Sequence, residues 1–259
     1  MELALDWQLI LLLGGVALVA GFIDTLAGGG GLITVPTLML VQIPPINAIA
    51  TNKLQGSFGT LISTLTLWRR GHIDPAKLKR PFIWSLAGSA IGAVLVQWID
   101  ASALEILVPV VLTLIALYFL LAPGAGSIER KPRIGERLHR RLVIPLIGFY
   151  DGFFGPGTGS FFSLSEVALR GRDLVTATAT AKALNLASNL ASLVIFILGG
   201  KVLWLVGAVM VVGQFVGAYL GARAVVSGGA RLIRPVIVLV CLAMLGRYAW
   251  QNGLLPTWF

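Results

Sequence analysis

Apolar residues run along this chain in long, nearly uninterrupted segments that short polar loops separate. A transmembrane helix needs about 20 consecutive apolar residues, so a chain of this length has room for about eight to ten such segments. The longest polar interval, 122–141, leaves no space for a soluble domain. We therefore predict an all-α polytopic membrane protein. Its predicted segments are 7–24, 28–41, 48–68, 81–99 and 103–122 in the first half, and 142–155, 158–168, 176–198, 203–222 and 232–252 in the second.

Two of these segments, 28–41 and 158–168, are too short to cross a bilayer comfortably, and each is next to glycine or proline. Such segments are tolerated at membrane depth only where protein or a polar cavity surrounds them. Each half is thus expected to contain one re-entrant or broken helix.

The basic residues report orientation. The chain is 57% hydrophobic and 12% charged, with a net charge of +9. Sixteen of the 20 Lys and Arg residues lie in four loops, which the positive-inside rule places in the cytoplasm. This clustering argues against a nucleic-acid partner. We expect an integral membrane protein, located in the bacterial inner membrane. The four loops are 69–80, 123–141, 170–172 and 223–234.

Three motifs occur twice in the same order: Gly-Phe-x-Asp at 21–24 and 148–151, a glycine-rich tract at 28–31 and 155–159, and Ala-Thr-x-Lys at 50–53 and 179–182. If the basic loops share one side, the two copies enter the membrane in opposite directions. We therefore predict two inverted-topology repeats, related by a pseudo-two-fold axis in the membrane plane. A parallel repeat is the alternative, and it would place one basic loop outside. The expected organisation is a first repeat at 1–122, a basic linker at 123–141 and a second repeat at 142–259.

Two lysines are the first candidates for binding chemistry. Lys53 and Lys182 each begin about 20 apolar residues, and a charge inside a membrane is energetically costly. Snorkelling of the ammonium to the interface would need no function. Amide side chains nearby instead favour a substrate-facing role. These amides belong to Asn52 and Gln55 in the first half and to Asn185 and Asn189 in the second.

Asp24 and Asp151 end the first helix of each half. Each carboxylate has two structural interpretations, an ion pair with a lysine or a cap on the following short helix. The functional interpretation is a protonatable group that couples transport to a proton gradient.

The glycine-rich tracts offer backbone N–H groups at the start of a short helix, an arrangement that attracts anions. The residues concerned are Gly29, Gly30 and Gly31 in the first half, and Gly157, Thr158 and Gly159 in the second. Together with a lysine in each half, they predict a small, anion-selective site.

Several other chemistries find no support. The chain has no Gly-x-x-x-x-Gly-Lys-Ser/Thr motif for a nucleotide, and its two histidines, His72 and His139, both lie in basic loops. The single cysteine, Cys241, lies in an apolar segment and is expected to be a packing residue. We expect no metal, no cofactor and no enzymatic activity.

The motifs that begin at Gly21, Gly28 and Ala50, with their second copies at Gly148 and Gly155, resemble the TauE/SafE family of sulfite and sulfonate exporters. The resemblance extends from about residue 10 to about residue 250. It implies transport of sulfite, sulfonates or related small organic anions. The second half departs from the first, since Ala181 stands where the first half has Asn52.

The predicted function is secondary transport of a small sulfur oxyanion or organosulfonate, by rocking of the two halves around a midplane site. A passive anion channel, a carrier of small carboxylates and a membrane assembly factor remain alternatives, and an intramembrane enzyme is the least favoured. The transport direction, the coupling ion and the oligomeric state stay open, with a homodimer among the alternatives.

Overall fold

The computed structural model describes residues 6–98 and 129–251. Within these ranges the chain contains helices and no β-strand. A helical turn at Glu136–Leu138 and a π-helical stretch at His139–Val143 lead into the second half. The main helices are α1 (Trp7–Ala27), α2 (Gly31–Leu40), α3 (Pro45–Arg69), α4 (Pro75–Leu95), α5 (Ile144–Phe153), α6 (Thr158–Ala168), α7 (Leu174–Leu198) and α8 (Trp204–Gln251).

The predicted all-α membrane fold is confirmed. Among the described residues, α1, α7 and the Trp204–Gly229 part of α8 are long and apolar enough to cross a membrane. The short helices α2 and α6, of 10 and 11 residues, each reach about half-way across a bilayer. Segments 203–222 and 232–252 follow each other within α8, with a kink at Gly229 between them. The predicted segment 103–122 lies outside the described residues.

Aspartates begin three of the long helices by accepting hydrogen bonds from otherwise unpaired backbone N–H groups. Asp6 accepts from the Leu9 N–H at 2.8 Å at the start of α1. Asp74 begins α4 in the same way, and Asp173 accepts from two N–H groups at the start of α7. At α4 and α7, these caps separate the helix from the polar connection that precedes it.

Glycines bring the outer helices of opposite halves into close contact. Gly213 and Gly217 of α8 pack on the backbone of Gly14 and Leu18 in α1, where a Cβ atom would collide. The residue numbers increase together along the two helices, so α1 and α8 run parallel.

Helices α4 and α5 pack in the same manner. Gly88 of α4 lies against the backbone of Pro145 in α5, and Gly92 lies one turn further on against Phe149. This pair of helices is also parallel, because the contacts advance together along both chains.

Helices α3 and α7, each of 25 residues, form the interior of the protein and carry most of its buried polar side chains. Asn47 near the start of α3 donates a hydrogen bond to the Lys201 carbonyl in the α7–α8 connection at 2.8 Å. Leu203 donates its N–H to the Thr51 hydroxyl at 3.1 Å. The two interior helices place the repeated lysines at the centre of the molecule.

Candidate functional site

Each repeated lysine forms an ion pair with the aspartate of the opposite half. The Lys53 ammonium lies 2.8 Å from the Asp151 carboxylate, and the Lys182 ammonium lies 3.0 Å from the Asp24 carboxylate. Both lysines are only 1% exposed. They are therefore enclosed by protein and paired, unlike snorkelling lysines, whose ammonium groups extend to an interface.

The Lys53–Asp151 pair has further polar partners on α7. Lys53 donates to the Asn189 amide oxygen at 3.2 Å, and Asn185 donates to the second Asp151 oxygen at 3.3 Å. A buried ion pair needs such additional hydrogen bonds because both charges have lost their water.

The Lys182–Asp24 pair is built into the glycine-rich connection of the first half. Lys182 also donates to the backbone oxygen of Asp24. The other Asp24 carboxylate oxygen accepts from the Gly30 N–H at 3.1 Å, just before α2 begins. Asp24 thus takes part both in an ion pair and in hydrogen bonding at the start of the short helix, and its role in proton coupling stays a prediction.

The two glycine-rich connections meet at the centre. Gly28 has a φ of 77°, and a Cβ atom there would collide with the backbone of Gly159 and Ser160. Gly155 has a φ of 97°, and a Cβ atom there would lie 2.7 Å from the Lys53 ammonium. Both positions require glycine, for the left-handed backbone and for the close approach.

A small central cavity lies between the halves, with about 20 Å³ of room for the centre of a water molecule. Ten of the predicted site residues line it: Asp24, Gly30, Gly31, Asn52, Lys53, Gln55, Asp151, Gly157, Asn185 and Asn189.

Four predicted site residues, Gly29, Thr158, Gly159 and Lys182, do not line the central cavity. Lys182 is held beside it by Asp24, and Gly159 packs on Gly28. The Thr158 hydroxyl donates to the Gly155 carbonyl at 2.6 Å, which leaves it directed at the protein backbone.

Gln214 of α8 also lines the central cavity, and the sequence analysis did not select it. It is 2% exposed and lies against Gly59 and Gly21. Within the described residues, its amide oxygen and that of Gln55 have no hydrogen-bond partner. The sequence feature that could have identified Gln214 is its isolation, since it is the only amide or charged residue in 202–222.

The chain resembles known membrane proteins over nearly its whole length. The family profile "Sulfite exporter TauE/SafE" matches residues 13–248. A probable membrane transporter protein of Haemophilus influenzae is 44% identical over 259 residues, covering 100% of this chain and 99% of the relative. The probable membrane transporter protein YfcA of Escherichia coli K12 is 46% identical over 237 residues, covering 92% of this chain and 88% of that protein.

A more distant relative, the probable membrane transporter protein YdhB of Bacillus subtilis, is 25% identical over 223 residues, covering 83% of this chain and 88% of that protein. No solved structure matches the chain. A family of membrane transporters agrees with the helical membrane fold and with the buried polar cavity at its centre. The chain is a membrane transporter that belongs to the TauE/SafE family.

Proposed function

We propose that this chain is a secondary transporter of a small sulfur oxyanion or organosulfonate, and that the central cavity is its substrate site. The observation that carries the proposal is the crossed pairing of Lys53 with Asp151 and of Lys182 with Asp24. Two buried cations near one cavity favour a compact anion, and a doubly charged oxyanion would gain from both. Asn52, Gln55 and Asn189 supply neutral hydrogen-bonding groups that orient it.

In this proposal, the carboxylates of the two aspartates neutralise the lysines while no substrate is bound. The Asp24 carboxylate accepts from the Lys182 ammonium and the Gly30 N–H, which are the donors that a substrate oxyanion would use. Removing a carboxylate without replacement leaves a buried, uncompensated ammonium, at a cost of about 3–5 kcal/mol. The substrate must therefore take the place of the carboxylate as that carboxylate leaves.

A displaced carboxylate needs a new partner, and a proton is the simplest one. Protonation of Asp24 or Asp151 neutralises it and frees a lysine for the substrate in the same step. Uptake of the anion is thereby linked to uptake of a proton from the same side. This exchange is the basis on which we propose proton coupling.

The described conformation is closed around the central cavity. Room for about 20 Å³ suits a single water molecule and is far less than a four-atom oxyanion requires. Binding therefore requires the halves to move apart, as in alternating access.

The helix directions support inverted repeats. Contacts of Thr51 with Leu203 and of Gly59 with Gln214 make α3 parallel to α8, which is itself parallel to α1. Helix α4 returns after the short connection 70–74 and is parallel to α5. Helices α1 and α5, which carry the repeated Gly-Phe-x-Asp motif, thus run in opposite directions. We place the basic loops in the cytoplasm and the protein in the bacterial inner membrane, in agreement with the positive-inside rule.

Sulfite flux into proteoliposomes tests the proposal, with and without an imposed pH gradient. We expect saturable flux in the wild type and its loss in Lys53→Ala and Lys182→Ala proteins that remain folded. Acceleration by a pH gradient, and its loss in a folded Asp24→Asn protein, would support proton coupling. Full flux in both lysine variants would refute the proposed site.

The same experiment separates the alternatives. Flux that ignores the pH gradient and does not saturate would indicate a passive channel. Flux of acetate or lactate in the absence of sulfite flux would indicate a carboxylate carrier with the same cations. A well-folded wild-type protein that moves none of these anions would refute the assigned substrate class.

A further inference from the structure

A second cavity, of about 430 Å³, lies beside the basic loops and is distinct from the central cavity. We call it the vestibule. Its wall includes residues from the α3–α4 connection, the start of α4, the turn before α5, the end of α6 and the start of α7. Glu166, Arg172, Thr176 and Thr180 are among the residues that line it.

We propose that the vestibule is a second binding site for a small oxyanion, which holds the substrate anion before it reaches the central cavity. The assignment of this anion as substrate rests on the proposed function. A volume of 430 Å³ falls within the range of small-molecule sites, whereas the central cavity in this conformation does not.

The floor of the vestibule is a buried polar cluster around Glu166, which is 3% exposed. Arg172 forms an ion pair with the Glu166 carboxylate at 3.2 Å and donates a hydrogen bond to the Thr180 hydroxyl at 2.9 Å. Burial, followed by the positive charges of Arg170 and Arg172, lowers the pKa of His139 to about 4. His139 in the basic linker is therefore neutral at pH 7, and Arg172 is the cation that balances Glu166.

Arg172 has unused hydrogen-bond donors at the vestibule. A guanidinium group has five N–H donors, of which Arg172 uses one in its hydrogen bond to Thr180 and directs another, Nε, at Glu166 in the ion pair. Guanidinium groups bind oxyanions through paired N–H donors, so the remaining donors favour an oxyanion over a cation. Four acidic side chains line the vestibule, and three of them are paired with a basic one: Asp74 with Lys77 at 3.3 Å, Glu136 with Arg140 at 3.1 Å and Glu166 with Arg172 at 3.2 Å. The fourth, Glu129, is exposed.

Along the axis of α7, the vestibule extends close to the level of one of the two central ion pairs, although Lys182 itself does not line it. Thr176 and Thr180 line it one helical turn apart on α7. Lys182 lies two residues beyond Thr180, which is about 3 Å of helix rise. An anion that Arg172 holds beside Thr180 is thus close to the level of the Lys182–Asp24 pair, and Lys182 is the next cation along α7.

Cysteine protection tests this site without measuring transport. The chain has one cysteine, so Cys241→Ala provides a background in which Thr176→Cys introduces the only thiol. Its rate of modification by N-ethylmaleimide is measured on purified protein by intact mass, in sodium methanesulfonate and in sodium chloride of equal ionic strength. Methanesulfonate is the probe because sulfite itself reacts with maleimides.

We expect methanesulfonate to slow the modification about ten-fold, the slowing that corresponds to nine occupied sites in ten. Lys79→Cys in the same background is the matched control, since Lys79 is exposed in the first turns of α4 and does not line the vestibule. Its rate should be the same in both salts. Equal rates for Thr176→Cys in the two salts would overturn the proposal.

A second variant tests whether Arg172 is the cation that binds the probe, and it is designed so that the protein still folds. Arg172→Gln combined with Glu166→Gln removes both charges together, so no buried carboxylate is left unpaired. Protection of Thr176→Cys should disappear in this protein. Protection that persists there would show that Arg172 does not bind the probe, and it would overturn the assigned site.

Failure of this inference is distinguishable from failure of the proposed function. Sulfite flux in the wild type without protection of Thr176→Cys would refute the vestibule site alone. Protection without flux of sulfite or methanesulfonate would refute the assigned transport function and leave an oxyanion site of another purpose.

Discussion

Replacing Lys53 by methionine keeps most of the side-chain volume and removes its charge. The Asp151 carboxylate then remains buried without its cation, with only the Asn185 amide still donating to it at 3.3 Å. Replacing Asp151 by asparagine has the converse effect, because it leaves the Lys53 ammonium without its counter-ion and with only neutral acceptors such as the Asn189 oxygen. Combining the two substitutions removes both charges and leaves neither uncompensated.

The magnitudes follow from the burial of this pair, whose side chains are 1% and 2% exposed. Breaking a buried ion pair by removing one partner costs about 3–5 kcal/mol, whereas replacing both partners is often nearly neutral. The surviving amide contacts favour the lower end, so each single variant should lose about 3 kcal/mol of unfolding free energy. With about 2 kcal/mol lost in the double variant, the coupling between the two sites should be about 4 kcal/mol.

Denaturation in detergent micelles, followed by circular dichroism, measures these free energies, and sulfite flux is measured on the same preparations. We expect the double variant to be about 1 kcal/mol more stable than either single variant and yet inactive, because the proposed substrate site has lost one cation. Single variants as stable as the wild type would refute the assignment of a charged, buried pair. A double variant with normal flux would refute the role of Lys53 in binding.

Three further outcomes are expected. Gly28→Ala should destabilise the protein by about 2–5 kcal/mol in the same denaturation assay, because Gly28 has a positive φ and an added Cβ atom would collide with Gly159. Gly15→Ala is the control and should not destabilise it, since a Cβ atom there would have no neighbour within 4 Å. Equal stability of the two variants would contradict the packing at Gly28. Gln214→Leu should raise the KM for sulfite about two- to ten-fold in the flux assay, through loss of one hydrogen bond, with stability changed little; an unchanged KM would remove Gln214 from the site. His139 is neutral in the folded protein and takes up a proton near pH 6.5 in the unfolded chain, so the free energy of unfolding should fall by up to about 2 kcal/mol between pH 7 and pH 5. His139→Gln should abolish this part of the pH dependence. A variant that keeps the full dependence would contradict a buried, neutral His139.

The fold class was predictable because its cause is local. A helix must satisfy its own backbone inside a bilayer, so an apolar segment indicates a helix without reference to any partner. The short helices α2 and α6 were equally visible, since glycine, proline and segment length are all properties of the sequence. Pro44–Pro45 and the Asp173 cap likewise place the starts of α3 and α7 within a few residues of the predicted segments.

The candidate site was predictable as a set of residues but not as a set of contacts. The repetition of Lys53 as Lys182, and of Asp24 as Asp151, identified four groups that the structure brings together in two ion pairs. Gln214 was not predicted as a site residue, because it has no repeated counterpart and stands alone in an apolar helix. Glu166 escaped for a similar reason, since its partners lie in the basic linker and in the α6–α7 connection.

The sequence alone thus determined the apolar segments, the repeated motifs and the charges that a membrane protein retains only for a reason. Only the tertiary structure decided that each lysine pairs with the aspartate of the other half, for example Lys182 with Asp24 across 158 residues of chain. Only it decided that the glycine-rich connections touch and that the central cavity is closed. The physical reason is that segment hydropathy is a local property, whereas the choice of ion-pair partners depends on how whole helices pack, and many pairings satisfy the same list of charges.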